Sequence, residues 1–219
     1  MKKEKDRMDS RAGLIDHTML KPYVTSEVIE KYCEDAIKYG FCSVCVNPMY
    51  VRLVSSKLKG TDVKVCTVVG FPLGANMPEV KAYETQIALR DGADEIDMVI
   101  NIGALKQGNL ELVRKDIAGV VREARGNIVK VILETCYLTD EEKKIACNIA
   151  KQEGARFVKT STGFGTKGAT KYDVALMRSI VGGDMGVKAS GGIRDFACME
   201  EMVKAGASRI GTSNGVDLM

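Results

Sequence analysis

The sequence has 219 residues, of which 45% are hydrophobic and 28% are charged, and its formal net charge is +3. This length and composition are typical of one folded domain with a sizeable core and exclude a compositionally disordered chain. The nearly balanced charge gives no reason to expect a nucleic-acid partner, and no apolar run reaches the length of a membrane span. Because no signal-peptide core follows the charged N-terminus, we expect a cytoplasmic protein.

The chain begins with a charged segment, residues 1–10, that is predicted to be a solvated tail or a helix. Beyond it, short β-rich runs alternate about eight times with longer helical patterns. The predicted strands cover residues 14–19, 41–46, 63–69, 95–100, 129–134, 157–162, 186–190 and 209–212. No linker rich in Pro, Gly or Ser interrupts this alternation, so we expect residues 1–219 to form a single domain.

Two of the helical patterns have recognisable ends. Thr139 and Glu142 form a predicted capping box before a helix that stops at Gly154, and Thr25 precedes a helix that stops at Gly40. The repeated order of strand and helix predicts parallel strands joined by right-handed crossovers. Eight such units favour a closed TIM (β/α)8 barrel over an open doubly wound sheet, because no Gly-x-Gly-x-x-Gly motif opens a helix after the first strand.

Several predicted strands carry charged residues in their interior, among them Asp97, Lys159 and Lys188. Alternation of side chains places Asp97 opposite the apolar face of its strand and therefore inside the barrel. Lys159 and Lys188 occupy matching positions on two consecutive strands. A charge removed from water inside a packed sheet costs several kcal/mol unless it is paired. A purely structural alternative is a buried ion-pair network that joins Asp97 to these two lysines or to Lys130.

Lys159 is the candidate nucleophile of a carbonyl reaction. At neutral pH an unperturbed lysine is almost entirely protonated, and only its free amine attacks a carbonyl. A second ammonium group about 6 Å away, here that of Lys188, disfavours the charged form by roughly 2–3 kcal/mol. Partial desolvation acts in the same direction. We therefore predict that Lys188 keeps a useful fraction of Lys159 in the reactive amine form.

Glycine clusters follow the last three predicted strands, at residues 162–165, 190–192 and 211–215. Backbone amides without side-chain bulk at these loops of a barrel can surround a phosphate group. A single cluster would be weak evidence, because glycine after a strand is most often a turn residue. The three together, next to two lysines, predict a phosphate site.

The cysteines and the histidine do not form a metal-binding pattern. Seven cysteines are scattered through apolar segments, which is typical of reduced thiols in a core, and His17 is the one histidine. We therefore predict no metal and no other cofactor. Cys45 is interpreted as a packing residue because no histidine base accompanies it, and His17, on the outward face of the first strand, is interpreted as structural.

Six segments, taken in chain order, resemble the deoxyribose-phosphate aldolase family across essentially the whole chain. They are IDHT at 15–18, VCVNP at 44–48, TVVGFPLG at 67–74, GADEIDMV at 92–99, FVKTSTGF at 157–164 and VKASGGIR at 187–194. The resemblance implies a class I, Schiff-base aldolase with a TIM barrel. Such an enzyme reversibly joins acetaldehyde to D-glyceraldehyde 3-phosphate, giving 2-deoxy-D-ribose 5-phosphate, without a cofactor. It would act in the breakdown of deoxyribose from deoxynucleosides.

The resemblance also implies roles for individual residues. The Schiff-base lysine corresponds to Lys159, the second active-site lysine to Lys188 and the proton-relay aspartate to Asp97. The expected contacts to substrate and phosphate are Thr18, Thr162, Gly163, Gly191, Gly192, Gly211, Ser213 and Asn214. Asn214 stands where some members have a second serine, so an amide replaces a hydroxyl at that contact. The sequence ends at Met219, where longer members carry a tyrosine tail, so we expect tail-assisted proton transfer to be absent or replaced.

Two other functions fit part of this pattern. One is a different phosphate-binding barrel enzyme, such as an isomerase or a ketose-type Schiff-base aldolase, although two adjacent lysines disfavour a simple isomerase. The other is a catalytically silent barrel that binds sugar phosphates, which the lysine pair argues against because repulsion without chemistry has no evident use. The expected partners are small sugar phosphates and aldehydes, with no nucleic acid and no membrane, in a possible homodimer or larger homo-oligomer.

Overall fold

The computed structural model describes residues 11–219, and the tail or helix predicted for residues 1–10 lies outside them. Eight parallel strands close into a barrel in the order β1 to β8, with β8 paired to β1. The strands are β1 Ile15–Met19, β2 Ser43–Val46, β3 Lys64–Val69, β4 Glu95–Val99, β5 Ile128–Ile132, β6 Phe157–Lys159, β7 Gly186–Ser190 and β8 Arg209–Thr212. This confirms the predicted closed TIM-type barrel.

Helices lie between consecutive strands and cover the outside of the barrel. They are α1 Ser26–Tyr39, α2 Val51–Lys57, α3 Pro78–Arg90, α4 Ile102–Lys106, α5 Leu110–Glu123, α6 Asp140–Gln152, α7 Lys171–Val181 and α8 Phe196–Lys204. The predicted capping box at the start of α6 is present, with Thr139 and Glu142 each bonded to the other's backbone N–H. Within residues 11–219, no helix combines the length and apolar composition that crossing a bilayer requires.

The apolar core and the polar interior of the barrel are separate. Most buried hydrophobic side chains, such as Val44, Ile96 and Ile210, form one cluster that includes buried residues of the surrounding helices, such as Ile29 and Ile117. The interior of a TIM barrel is usually filled by layers of branched apolar residues. Here it also contains buried charged side chains such as Asp97, Lys130 and Lys188, and a small second apolar cluster of Leu20, Cys45, Cys66 and Val68. An interior with this many buried charges indicates that they are paired.

Two strands end at least two residues before the predicted bound. β6 was expected to reach Thr162 but ends at Lys159, because the backbone N–H of Thr162 donates to the side chain of Glu134 rather than to a neighbouring strand. β5 was expected to reach Glu134 but ends at Ile132, since Glu134 has a left-handed backbone with φ 55° and ψ 64°. Both predictions were wrong because a side-chain hydrogen bond and a turn replaced the extended backbone.

Candidate active site

Asp97 lies in the interior of the barrel and binds three lysines. Its Oδ2 accepts hydrogen bonds from Lys159 and Lys188, each at 2.7 Å, and its Oδ1 accepts one from Lys130 at 2.8 Å. Burial raises the pKa of Asp97, but the three ammonium groups outweigh that effect and hold it well below its usual range. Asp97 is therefore ionised and can hold the two predicted catalytic lysines together.

The register of the strands explains why these side chains meet. Lys159 is the Cα partner of Lys188 across β6 and β7, and Asp97 is the partner of Lys130 across β4 and β5. All four side chains point inward and are buried. Because Lys159 and Lys188 share Oδ2 of Asp97, their nitrogens lie within roughly twice one hydrogen-bond length of each other. This is the proximity that the sequence predicted from adjacent strands.

Lys188 is held in its charged form by two carboxylates. Its Nζ lies 2.5 Å from Oδ2 of Asp16 and 2.7 Å from Oδ2 of Asp97. Burial lowers the pKa of Lys188, but Asp16 and Asp97 raise it by more, so the pKa lies above the ordinary lysine value. Space for its side chain depends on Gly211, where a Cβ would lie 2.9 Å from Cε of Lys188. Lys188 therefore places a permanent positive charge beside Lys159.

The interior network contains one more cation than carboxylates. Its acids are Asp16, Glu95 and Asp97, and its bases are Lys130, Lys159, Lys188 and Arg209. Arg209 lies 2.7 Å from Asp16 and 3.1 Å from Glu95, and Lys130 lies 2.6 Å from Glu95. Within this network Lys159 pairs with one carboxylate, that of Asp97, whereas Lys130, Lys188 and Arg209 each face at least two.

A cavity of about 600 Å³ lies at the carboxyl ends of the strands, where barrel active sites form. Lys159 borders this cavity, whereas Lys130, Lys188 and Asp97 are not among its lining residues. All eight residues predicted to contact substrate or phosphate do line it, namely Thr18, Thr162, Gly163, Gly191, Gly192, Gly211, Ser213 and Asn214. The structure thus brings the predicted amine and the predicted phosphate loops to one cavity.

Several residues of the site were missed by the sequence analysis. Asp16, Glu95 and Arg209 complete the charged network, and Lys21 and Arg194 line the cavity as additional cations. Alternation along β8 could have found Arg209, since it shares the inward face with Gly211. The two cavity cations lie beyond strand ends, where no periodicity indicates the direction of a side chain.

Cys45, Cys66 and Asp97 are close enough together to suggest a metal site, with one possible ligand atom from each lying within 4.8 Å of the others. Their surroundings do not suit a cation. Both oxygens of Asp97 accept bonds from lysines, and the ammonium group of Lys130 lies 3.4 Å from Sγ of Cys66. A metal ion would be repelled by these charges. The residues therefore do not fit a metal, and its absence from the reaction stays a prediction.

His17 lies outside the barrel, on the face of β1 opposite Asp16. Its ring stacks on Tyr32 with centroids 4.0 Å apart, and Tyr32 donates a hydrogen bond to the carbonyl of Ser213 at 2.9 Å. Among the described residues, neither ring nitrogen of His17 has a hydrogen-bond partner. Burial lowers the pKa of His17 to about 4, against a weaker opposing effect of Asp35. This packing agrees with the structural role predicted for His17.

The buried imidazole leads to a pH-dependent stability. His17 stays neutral in the folded protein while it titrates normally in the unfolded chain, so the unfolded chain binds more protons below about pH 6.5. Stability should fall as the pH drops from there towards about 4. In urea unfolding, we expect the wild type to lose roughly 2–3 kcal/mol more than His17→Phe between neutral pH and about pH 4.5. Equal losses in the two proteins would contradict a neutral, buried His17.

Comparison with known proteins agrees with this geometry. Residues 11–218 match the family model described as DeoC/LacD family aldolase. A deoxyribose-phosphate aldolase of Streptococcus gordonii is 62% identical over 94% of this chain and 93% of its own. A putative deoxyribose-phosphate aldolase of Coccidioides immitis has a similar structure, with a TM-score of 0.94, 41% identity, and coverage of 96% of this chain and 85% of its own.

A third relative is similar in both fold and sequence. It is the deoxyribose phosphate aldolase of Aeropyrum pernix, whose structure is described as a unique tetramer. The TM-score is 0.90 at 37% identity, and the match covers 99% of this chain and 94% of the other. The family match spans nearly all of the residues that form the barrel, the charged interior and the cavity. The chain therefore belongs to the DeoC/LacD family of aldolases.

Proposed function

We propose that this aldolase reversibly cleaves 2-deoxy-D-ribose 5-phosphate to acetaldehyde and D-glyceraldehyde 3-phosphate through a Schiff base on Lys159. The observation that carries the proposal is the position of Lys159. It is the interior lysine that borders the cavity, and it shares Oδ2 of Asp97 with the permanently charged Lys188. An amine with this access and this neighbour is suited to attack a carbonyl.

The reaction is most simply followed in the direction of bond formation. The amine of Lys159 attacks the carbonyl carbon of acetaldehyde, and the carbinolamine loses water to give an iminium ion. Imine formation removes N–H donors that Lys159 directs at Asp97, so Oδ2 can accept from a water molecule instead. Asp97, acting through this water, removes a proton from the methyl group and leaves an enamine. The enamine carbon attacks the aldehyde carbon of glyceraldehyde 3-phosphate, and the aldehyde oxygen takes up the proton from the same water to become a hydroxyl group. Hydrolysis of the new iminium then regenerates Lys159.

The glycine loops in the wall of the cavity are suited to the phosphate group. Loops at the ends of β6, β7 and β8 supply Gly163, Gly191, Gly192 and Ser213 to its wall. Lys21 and Arg194 also line the cavity, and their positive charge attracts an anion. The proposed substrate therefore places its carbonyl carbon at Lys159 and its phosphate among the glycine loops.

The proposed substrate can be tested by comparing catalytic efficiency for deoxyribose with and without its phosphate group, and by offering the enzyme a ketose phosphate. We expect kcat/KM for 2-deoxyribose 5-phosphate to exceed that for unphosphorylated deoxyribose by roughly 10²-fold or more, because binding of the remote phosphate contributes to the transition state. Fructose 1,6-bisphosphate, a substrate for the ketose-type alternative, should not be cleaved. Equal efficiency with and without the phosphate, or cleavage of the ketose, would contradict the proposal.

We also expect the enzyme to be a homo-oligomer located in the cytosol. The tetrameric relative from Aeropyrum pernix supports self-association. A stripe of exposed apolar side chains on α3 and the preceding loop is consistent with a contact between copies, and consists of Leu73, Met77, Val80 and Tyr83. The molar mass in solution, measured by light scattering, distinguishes a single chain of 23.8 kDa from a dimer or tetramer.

A further inference from the structure

Glu134 follows β5 in a backbone conformation that residues other than glycine rarely adopt, and the reaction proposed above does not use it. Its φ of 55° and ψ of 64° lie in the left-handed region, which costs free energy for a residue with a side chain. This turn directs the carboxylate towards the end of β6 instead of into the charged interior. Backbone strain of this kind beside an active site indicates that the position of the Glu134 carboxylate serves the function of the site.

The carboxylate of Glu134 anchors a turn at residues 162–164. Its two oxygens accept hydrogen bonds from the backbone N–H of Thr162, each at 3.3 Å, and Oε2 also accepts one from the hydroxyl of Thr162. The same hydroxyl oxygen accepts a bond from the backbone N–H of Phe164 at 3.0 Å. A chain of bonds thus runs from the carboxylate through Thr162 to Phe164.

The surroundings leave room for a carboxylate at this point. Glu134 is only 2% exposed, and a Cβ at Gly165 would lie 2.9 Å from its Cδ, so the absence of a side chain at residue 165 makes the space. Burial raises the pKa of Glu134, and the bonds from Thr162 act in the opposite direction. The carboxylate of Glu134 is therefore a buried acceptor whose position is determined by the left-handed turn, by the space at Gly165 and by the hydrogen bonds from Thr162.

The anchored turn forms part of the wall of the cavity. Thr162, Gly163 and Phe164 all line the cavity, and Gly163 in the middle has a φ of 88°. The ring of Phe164 packs edge-on against Phe71, with centroids 5.4 Å apart, which joins the turn to the loop after β3. Among the described residues, Lys159 donates its hydrogen bond to Asp97 and not to Glu134.

We propose that Glu134 is a positioning residue for recognition of the phosphate group. Through Thr162, its carboxylate holds residues 162–164 in the conformation that receives the phosphate of the substrate. Glu134 itself contacts neither the phosphate nor the reacting carbon. This inference rests on the proposed function, because it requires a phosphorylated substrate.

The test uses Glu134→Gln, which keeps the size of the side chain but replaces one acceptor oxygen with a donor. The variant offers the N–H of Thr162 one acceptor oxygen instead of two, and its remaining bonds from Thr162 are weaker because the amide carries no charge. We expect KM for 2-deoxyribose 5-phosphate to rise about tenfold with a much smaller change in kcat. The ratio of kcat/KM with phosphate to that without should fall by a similar factor. Both readouts are independent of the fraction of folded enzyme.

Three further variants make the result specific. Thr162→Val removes the hydroxyl and should reproduce the loss of preference for the phosphorylated substrate. Thr162→Ser keeps the hydroxyl and should retain most of that preference. The double variant Glu134→Gln/Thr162→Val should lose no more of the preference than the worse of its two single variants. Glu141→Gln, an exposed glutamate paired with Lys144, is the matched control and should behave as wild type. Equal losses with both substrates, or additive losses in the double variant, would overturn the positioning role.

The failure of this inference can be distinguished from failure of the proposed function. If the wild type itself shows no preference for the phosphorylated sugar, the proposed substrate is wrong. If the wild type shows the preference and Glu134→Gln keeps it in full, the proposed substrate stands and the role of Glu134 is overturned.

Discussion

Reduction with borohydride in the presence of acetaldehyde should add an ethyl group to Lys159 and not to Lys130 or Lys188. Lys159 borders the cavity, whereas Lys130 and Lys188 belong to the same charged network without lining it. An aldehyde in the cavity therefore meets one interior amine. Peptide mass analysis after reduction identifies the modified residue, and labelling of Lys130 or Lys188 instead would show that the nucleophile has been assigned wrongly.

Replacing the nucleophile should abolish activity without unfolding the protein. In Lys159→Leu, Asp97 keeps its bonds to Lys130 at 2.8 Å and Lys188 at 2.7 Å, so its buried charge remains paired. We expect kcat to fall by at least about 10⁴-fold, and no pH should restore it, because the covalent step is lost. Near-normal turnover in this variant, or recovery at high pH, would rule out Schiff-base catalysis at this residue.

Lys188→Leu should shift the pH dependence of activity. Without Lys188, Asp97 holds the ammonium form of Lys159 with no competing cation at Oδ2, so a higher pH is needed to release the free amine. We expect kcat/KM to fall by roughly 10–10²-fold at neutral pH and to recover partly as the pH rises. An unshifted profile would mean that Lys188 does not tune Lys159 and contacts the substrate instead.

The same variant should also be less stable, which requires a control. Removing Lys188 takes the partner at 2.5 Å away from Oδ2 of Asp16, and breaking a buried pair of this kind costs about 3–5 kcal/mol. Lys81→Leu is the matched control, because Lys81 is fully buried and paired with Asp116 at 2.6 Å outside the cavity. Lys81→Leu should lower the free energy of unfolding to a similar extent and leave the pH dependence of kcat/KM unchanged.

Much of the architecture could be predicted because it follows from local patterns. β7 and β8 have the predicted bounds, and the capping box at Thr139 begins α6 as expected. The alternation of side chains along a strand indicated that Asp97, Lys159 and Lys188 face inward, and all three do. These are properties of segments a few residues long, so neighbouring residues in the sequence suffice to determine them.

The turn at Glu134 could not be predicted in this way. The run from residue 129 to 134 continues the β pattern, and nothing in it indicates a left-handed backbone at a glutamate. The conformation is maintained by Thr162, which lies 28 residues further along the chain, and by the missing side chain at Gly165. Such a feature depends on contacts between distant segments, which override local propensity.

The sequence alone determined that this protein is a parallel barrel with a lysine pair and an aspartate on its inner face. Periodicity and strand order are local, and closure follows from repeating them eight times. The tertiary structure decided which charges pair. Closing the sheet brings Arg209 of β8 to Asp16 of β1 and Glu95 of β4, residues far apart in the chain. These pairs form only in the closed sheet, because a buried charge needs a partner and the partners come from strands that are distant in the sequence.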